Sequence, residues 1–460
     1  MSRREVGVLR SRFARRLGRP RILIAAGALW GGLNSPTTLG QNQNVPKYTG
    51  SCADAGCHDR FARQKTVHAP VTMGSCDACH EESAAAAHQF RLTRDGVALC
   101  TDCHDAFEGK IVHGPVQDGC LTCHDPHGSQ TAKLLTKGSV AELCTDCHDD
   151  LTEGLSELHG PVAVGECLAC HAPHASELQG LLSVAQPKLC LECHEETAEA
   201  LEAGKHVHPP VREACTTCHR PHAADQKHLL TLAADKLCAD CHDDIQEKAS
   251  DSAVKHSPVT SASACLTCHD AHVSEEDALL IAQVRTLCLS CHNRAMVIGE
   301  RKLLNMAERL SATTHLHGPL QEGGCSACHD PHGSSRGALL GKAFPVSLYV
   351  PYAEQEFALC FDCHDAAAFA EPTTDEDTEF RNGSQNLHHL HVHRHKGRSC
   401  RACHDPHGAM NDKQIAESVP FGRWNIPIRF RASPTGGSCA PGCHRPYRYD
   451  RDQPVANLRP

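Results

Sequence analysis

Residues 113–148 read HGPVQDGCLTCHDPHGSQTAKLLTKGSVAELCTDCH. Two cysteine pairs, Cys120/Cys123 and Cys144/Cys147, are each followed at once by a histidine, His124 and His148. Two further histidines hold fixed places: His113 opens H-G-P-V ahead of the first pair, and His127 lies three residues after His124. A spacer with paired leucines separates the halves.

Outward from this stretch the pattern recurs along the 460 residues. Thirteen Cys-x-x-Cys-His motifs occur: Cys76 and Cys79 before His80, Cys100 and Cys103 before His104, Cys120 and Cys123 before His124, Cys144 and Cys147 before His148, Cys167 and Cys170 before His171, Cys190 and Cys193 before His194, Cys215 and Cys218 before His219, Cys238 and Cys241 before His242, Cys265 and Cys268 before His269, Cys288 and Cys291 before His292, Cys325 and Cys328 before His329, Cys360 and Cys363 before His364, and Cys400 and Cys403 before His404. Two more are stretched: Cys52 and Cys57 before His58, with four intervening residues, and Cys439 and Cys443 before His444, with three. Fifteen motifs consume all 30 cysteines.

This spacing is the attachment signature of haem c. Two thiols add across two vinyl groups of one porphyrin, so they must sit about one turn apart, and the adjoining histidine falls under the iron as proximal ligand. Zinc sites and disulfides also use paired cysteines. Neither accounts for a histidine directly after the second cysteine in all fifteen motifs.

The remaining histidines are patterned too. His127, His174, His222, His272, His332 and His407 each lie three residues after a proximal histidine, and His88 lies eight after His80. His68, His113, His159, His208, His256 and His317 precede a motif in H-x-P-V or H-G-P-L form. A seventh repeat has the cluster His388, His389, His391, His393 and His395 instead. Units begin at Cys76, Cys120, Cys167, Cys215, Cys265, Cys325 and Cys400, with steps of 44, 47, 48, 50, 60 and 75 residues. Seven two-haem units plus the leading Cys52 motif predict fifteen haems. Each unit supplies two proximal and two further histidines, the count for bis-histidine ligation. His124 and His127 share one local turn, so they must serve different haems. Within a unit, the H-G-P-V histidine is expected on the first haem and the P-H histidine on the second. The leading haem must borrow a spare such as His206, His228, His315 or a cluster member.

Composition agrees. Only 18 residues are aromatic, too few for ordinary cores in a chain of this length. Porphyrins would fill the interior, and the apoprotein is expected to be largely unfolded. The five methionines have no regular place in the repeat, which points to low-potential haems. Net charge is −10, although residues 1–40 hold eight Arg against one Glu. That balance excludes a nucleic-acid partner. Propionates would add negative charge, so a redox partner with a basic docking patch is expected. The basic segment Arg3–Arg21 followed by apolar Ile22–Leu33 reads as a signal peptide, implying export to the periplasm, the outer membrane or the exterior.

The stretch His113–Val116, Cys120–Gly128 and Leu143–His148, with its copies, resembles the doubled-CXXCH family of multihaem c-type cytochromes. The resemblance implies an extracytoplasmic electron carrier with bis-histidine haems, some members serving respiratory reductases and others forming outer-membrane conduits. The expected fold is a mostly irregular and α, haem-packed repeat: short helices and loops around a linear array of covalent haems, with a small β element near the C-terminus. Expected limits are a signal peptide over 1–40, a repeat region over 41–340 with haems 1–11, and a looser module over 341–460 with haems 12–15, the motif at 325–329 being shared at the boundary. Residues 293–314 are expected to be helical, and 423–430 to form an edge strand. The function read from these features is electron transfer along a haem wire, without catalytic residues. The rivals are a nitrite or hydroxylamine reductase with one open haem, and a subunit that self-assembles into a filament or plugs an outer-membrane porin.

Overall fold

A computed structural model describes residues 58–82, 89–149, 151–261, 265–299 and 301–457. The expected signal peptide, Cys52, Cys57 and His88 lie outside the described residues. The chain divides into two units, Met1–Asp59 and Arg60–Pro460, and only His58 and Asp59 of the first are described. The second unit holds the repeats.

Each repeat is built from a few local rules. In H-x-P-V the histidine is extended, His113 having φ −61° and ψ 131°, and Gly114–Asp118 then coils into a short helix with proline in its first turn. Proline presets φ there, and its missing N–H would have had no intrahelical partner. His159, His208 and His317 introduce Gly160–Ala163, Pro209–Arg212 and Gly318–Gln321 in the same way. The first Cys-x-x-Cys-His motif is a 3-10 turn, Cys120–Thr122, closed by the His124 N–H donating to the Cys120 carbonyl at 3.0 Å. The second motif ends the helix Val140–Thr145, whose N-terminus is capped by the Ser139 hydroxyl accepting from the Glu142 N–H.

Between the motifs the chain reverses through two left-handed residues: Lys133 and Leu134 (φ 59° and 57°), His228 and Leu229 (60° and 57°), Ala278 and Leu279 (54° and 56°), Ala338 and Leu339 (56° and 58°), Lys413 and Gln414 (56° and 53°). In one unit glycine takes the first place, Gly180 (67°) before Leu181 (54°). An L-residue pays about 1–2 kcal/mol in this region. Recurrence in six units means the surroundings hold it there for a reason.

Neighbouring units interlock. Thr66–Val67 pairs with Gly128–Ser129, Ile111–Val112 with Ala175–Ser176, Glu157–Leu158 with Ala223–Ala224, His206–Val207 with Val273–Ser274, and His315–Leu316 with Gly408–Ala409, all antiparallel. Val254 bridges Ser334 at the equivalent place. Each pairing joins the strand before one unit's H-x-P to the strand after the next unit's P-H. These short cross-unit sheets were not part of the sequence reading.

Side chains supply little core. The buried apolar residues include Ala223, Ala224, Ala249, Leu310, Phe357 and Val392, and the one cluster of note packs Ala416, Val419 and Ile428 with Ile415, Ile426 and Phe430. That cluster supports the hairpin Ser418–Phe421/Trp424–Pro427, so the strand expected over 423–430 is found. A three-stranded sheet, Arg431–Ser433, Gly436–Cys439 and Tyr447–Asp450, follows. Residues 293–314 differ from expectation: Met296–Ile298 and Arg301–Leu303 form a hairpin about Gly299 (φ 59°), and only Met306–Ser311 is helical. Leu303 and Leu304 thus lie before the helix, because the glycine turn breaks the helical spacing. Among the described residues, no helix is long and apolar enough to cross a membrane.

Candidate functional site

Among the described residues, twelve pairs of histidine rings face one another at centroid distances of 5.9–6.4 Å, with planes inclined by 5–29°. Stacked rings in contact would lie closer, as His389 and His393 do at 4.1 Å. Something of atomic thickness fits between the others. A metal–nitrogen bond of about 2 Å on each side, with about 1.1 Å from nitrogen to ring centre, would put two imidazoles that share one metal roughly 6 Å apart.

The pairs fall into two registers. Second-motif histidines face the H-x-P histidine of their own unit: His104 with His68, His148 with His113, His194 with His159, His242 with His208, His292 with His256, and His364 with His317. First-motif histidines face the P-H histidine of the following unit: His80 with His127, His124 with His174, His171 with His222, His219 with His272, His269 with His332, and His329 with His407. This corrects the expected pairing. His113, expected on the first haem of its unit, faces the histidine of the second motif, and His127 reaches back to face His80 of the preceding unit. The cross-unit strands cause the exchange, since the His68 N–H donates to the His127 carbonyl at 3.0 Å and the His113 N–H to the His174 carbonyl at 2.8 Å.

Backbone carbonyls orient these rings. Nδ1 of His68, His113, His159, His208 and His256 lies 2.8–3.1 Å from the carbonyl of Pro126, Pro173, Pro221, Ala271 and Pro331, each just before a P-H histidine. Nδ1 of His124, His171, His219, His269, His329 and His404 lies 2.7–2.9 Å from the carbonyl of Lys133, Gly180, His228, Ala278, Ala338 and Lys413. Those six are the first residues of the left-handed turns. A carbonyl only accepts, so Nδ1 carries the proton and Nε2 keeps its lone pair for a metal. Burial lowers the pKa of His174, His222 and His272, which favours the neutral, ligating form. In the D-x-H segments the carboxylate fixes the backbone: Asp125, Asp270, Asp330 and Asp405 accept from the N–H two residues on. Lys248 pairs with Asp330 and Arg309 with Asp405 across units.

The cysteines meet in chain order. Cys100 lies beside Cys120, Cys144 beside Cys167, Cys190 beside Cys215, Cys238 beside Cys265, Cys288 beside Cys325, and Cys360 beside Cys400, each joining a unit's second motif to the next unit's first. Burial and the neighbouring thiol push Cys100, Cys190 and Cys238 each up to about 11. The 28 described cysteines are free thiols, standing where thioether sulfurs would be.

The residues present fit haem c. Burial, and then Cys439 and Cys443, push the Cys403 thiol up to about 12. Leu121, Leu168 and Leu266, inside the first motifs, are exposed and would be covered by an apolar plate. The Tyr352 hydroxyl is buried without a hydrogen-bond partner, beside Cys400. Among the described residues, no three His, Cys, Asp or Glu side chains converge as a zinc site requires.

The doubled CXXCH motif family matches residues 68–109, 113–153, 159–199, 208–247, 256–297 and 317–369. That is more than half of the chain, and the protein belongs to this family. It is a multihaem c-type cytochrome, built to hold covalent haem c for electron transfer. No curated protein matches the chain.

Sequence reasoning missed the left-handed carbonyl. Its signal was the residue before each leucine pair, nine positions after the proximal histidine. Of the spare histidines, His206 has Nε2 3.2 Å from Asp277, and His228 serves through its carbonyl.

Proposed function

We propose that this protein is an exported electron carrier with fifteen haems, bis-histidine ligated and held in sequence order as a wire. The observation that carries the reading is the set of twelve facing ring pairs in two alternating registers. Bound haem c supplies reversible one-electron iron chemistry. The chain's part is to hold each imidazole neutral with Nε2 left for the iron, to bring two such imidazoles face to face, and to seat successive motifs against one another. The cysteine contacts support transfer between neighbours in chain order, as expected of a repeat in which each unit meets the next. If the two histidines of each pair both hold one iron, substrate would find no iron open to it. The basic and apolar leader supports export, and the acidic remainder supports a redox partner presenting a basic patch.

The rival is a reductase, in which one iron would be open to substrate. Electron paramagnetic resonance of the oxidised holoprotein, with haem counted on the same sample, separates the two. About fifteen haems with low-spin signals alone fit the carrier; a high-spin signal of one haem per chain refutes it.

A further inference from the structure

The two registers leave the last unit incomplete. Residues 408–460 hold no further P-H histidine to face His404, and no H-x-P-V segment lies between His364 and Cys439 to serve His444. The five-histidine cluster occupies this part of the chain, and its members are not equivalent. The helix Leu387–Val392 is anchored by fully buried Asn386, whose side chain accepts from the His389 N–H and donates to the Ala368 and Glu371 carbonyls at 3.0 Å. His388 has Nδ1 2.9 Å from the Thr378 hydroxyl, and His391 has Nδ1 2.6 Å from the Leu387 carbonyl. Each is left with Nε2 free, like the ligands in the twelve pairs. His389 also bonds through Nδ1, to the Ala370 carbonyl, but its ring stacks on His393 at 4.1 Å, too close for a metal between them, and His393 has its Nε2 on the Phe369 carbonyl.

The surroundings connect each free nitrogen to one unpaired motif. Beside Thr378, Glu379 reaches Lys413, whose carbonyl accepts from His404. Phe380 packs on His391 and, edge-on, on Tyr449, in the strand that also carries Tyr447, which packs on His444. We infer that His388 and His391 are the distal ligands closing the last two haems, His388 opposite His404 and His391 opposite His444; this rests on the bis-histidine reading above. Burial and the neighbouring His404 hold His388 down to about 3, and His391 is lowered by burial, then by Arg394, His444 and Arg398 against the Leu387 carbonyl. Both rings are therefore neutral ligands near neutral pH. The helix would thus be a terminal cap, doing for the last unit what a further repeat does for the others.

The test uses the full-length oxidised holoprotein, its haem content and its low-temperature paramagnetic spectrum. His388→Ala and His391→Ala should each convert one haem per chain to high spin, and the double variant two. His389→Ala and His393→Ala should convert none. His407→Ala, which opens the Cys325 haem on the general reading, is the reference. If it yields a high-spin haem while His388→Ala and His391→Ala stay entirely low-spin, the cap assignment is wrong and the general reading stands. If His407→Ala stays low-spin as well, the bis-histidine reading itself fails. Should the alanine variants lose haem, His388→Met and His391→Met keep a sixth ligand; each should raise the potential of one haem, and unchanged potentials would overturn the assignment.

Discussion

The ring of His127 lies 6.1 Å from that of His80, which belongs to the preceding unit. His124, only three residues away, faces His174 of the following unit at 6.0 Å. One tight turn therefore touches two haem sites in two different units, and no repeat is complete without its neighbour.

His127→Ala should open the haem at Cys76 and Cys79 and leave that at Cys144 and Cys147 closed. The expected result is one high-spin haem per chain by paramagnetic resonance. The signal should vanish when Cys76 and Cys79 are also replaced by alanine, and persist when Cys144 and Cys147 are. The opposite pattern would mean that P-H histidines ligate within their own unit.

The left-handed turn at Lys133 trades backbone strain for orientation of His124. Lys133→Gly keeps the carbonyl and removes the steric penalty, so thermal unfolding of the holoprotein should show stabilisation of about 0.5–1 kcal/mol. Lys133→Pro forbids positive φ and should displace the carbonyl from Nδ1. His124 then becomes a weaker donor, and redox titration should show one haem shifted to higher potential. Unchanged potentials would mean that the hydrogen bond does not tune the iron.

Asp405 holds the His407 N–H at 3.1 Å and pairs with Arg309 across units. Asp405→Ala removes both interactions at a partly buried place and should cost about 1–3 kcal/mol in denaturant unfolding. Asp405→Asn retains an acceptor for the amide and should cost less. Equal losses for the two would assign the effect to the ion pair alone.

Gly397 has no room for a side chain: a Cβ would run into the Val392 and Val350 carbonyls. Gly397→Ala must push the end of the helix Leu387–Val392. It should lower stability by about 1–3 kcal/mol and broaden the low-spin signals of the last two haems. Gly114→Ala, with open space around the added carbon, is the control and should leave both unchanged.

Chain produced without haem attachment should lack a cooperative thermal transition and be cut rapidly by protease, because buried side chains are few and small over most of its length. A cooperative transition in that material would show that the polypeptide folds by itself.

Much of the site was legible beforehand because covalent chemistry writes it into local spacing. Cys120, Cys123 and His124 must be contiguous to meet one porphyrin, and H-x-P-V and P-H recur visibly at His113 and His127. The strand at Trp424–Pro427 followed from simple alternation. Residues 293–314 were misread because apolar spacing over a short window does not register the Gly299 turn. Pairing across units was invisible for a different reason. Strands of two residues, such as Thr66–Val67 with Gly128–Ser129, carry too little alternation to announce a partner about sixty residues away.

The sequence by itself determined where the Cys-x-x-Cys-His motifs lie, how many exist, and which histidines are available as ligands, since those depend on near neighbours in the chain. The tertiary structure alone decided which histidine faces which. That choice rests on long-range backbone pairing, seen where the His113 N–H reaches the His174 carbonyl, and on carbonyls delivered by strained turns such as Lys133–Leu134. It also separated His388 and His391 from the stacked His389 and His393, because burial and ring stacking are properties of packing, not of spacing.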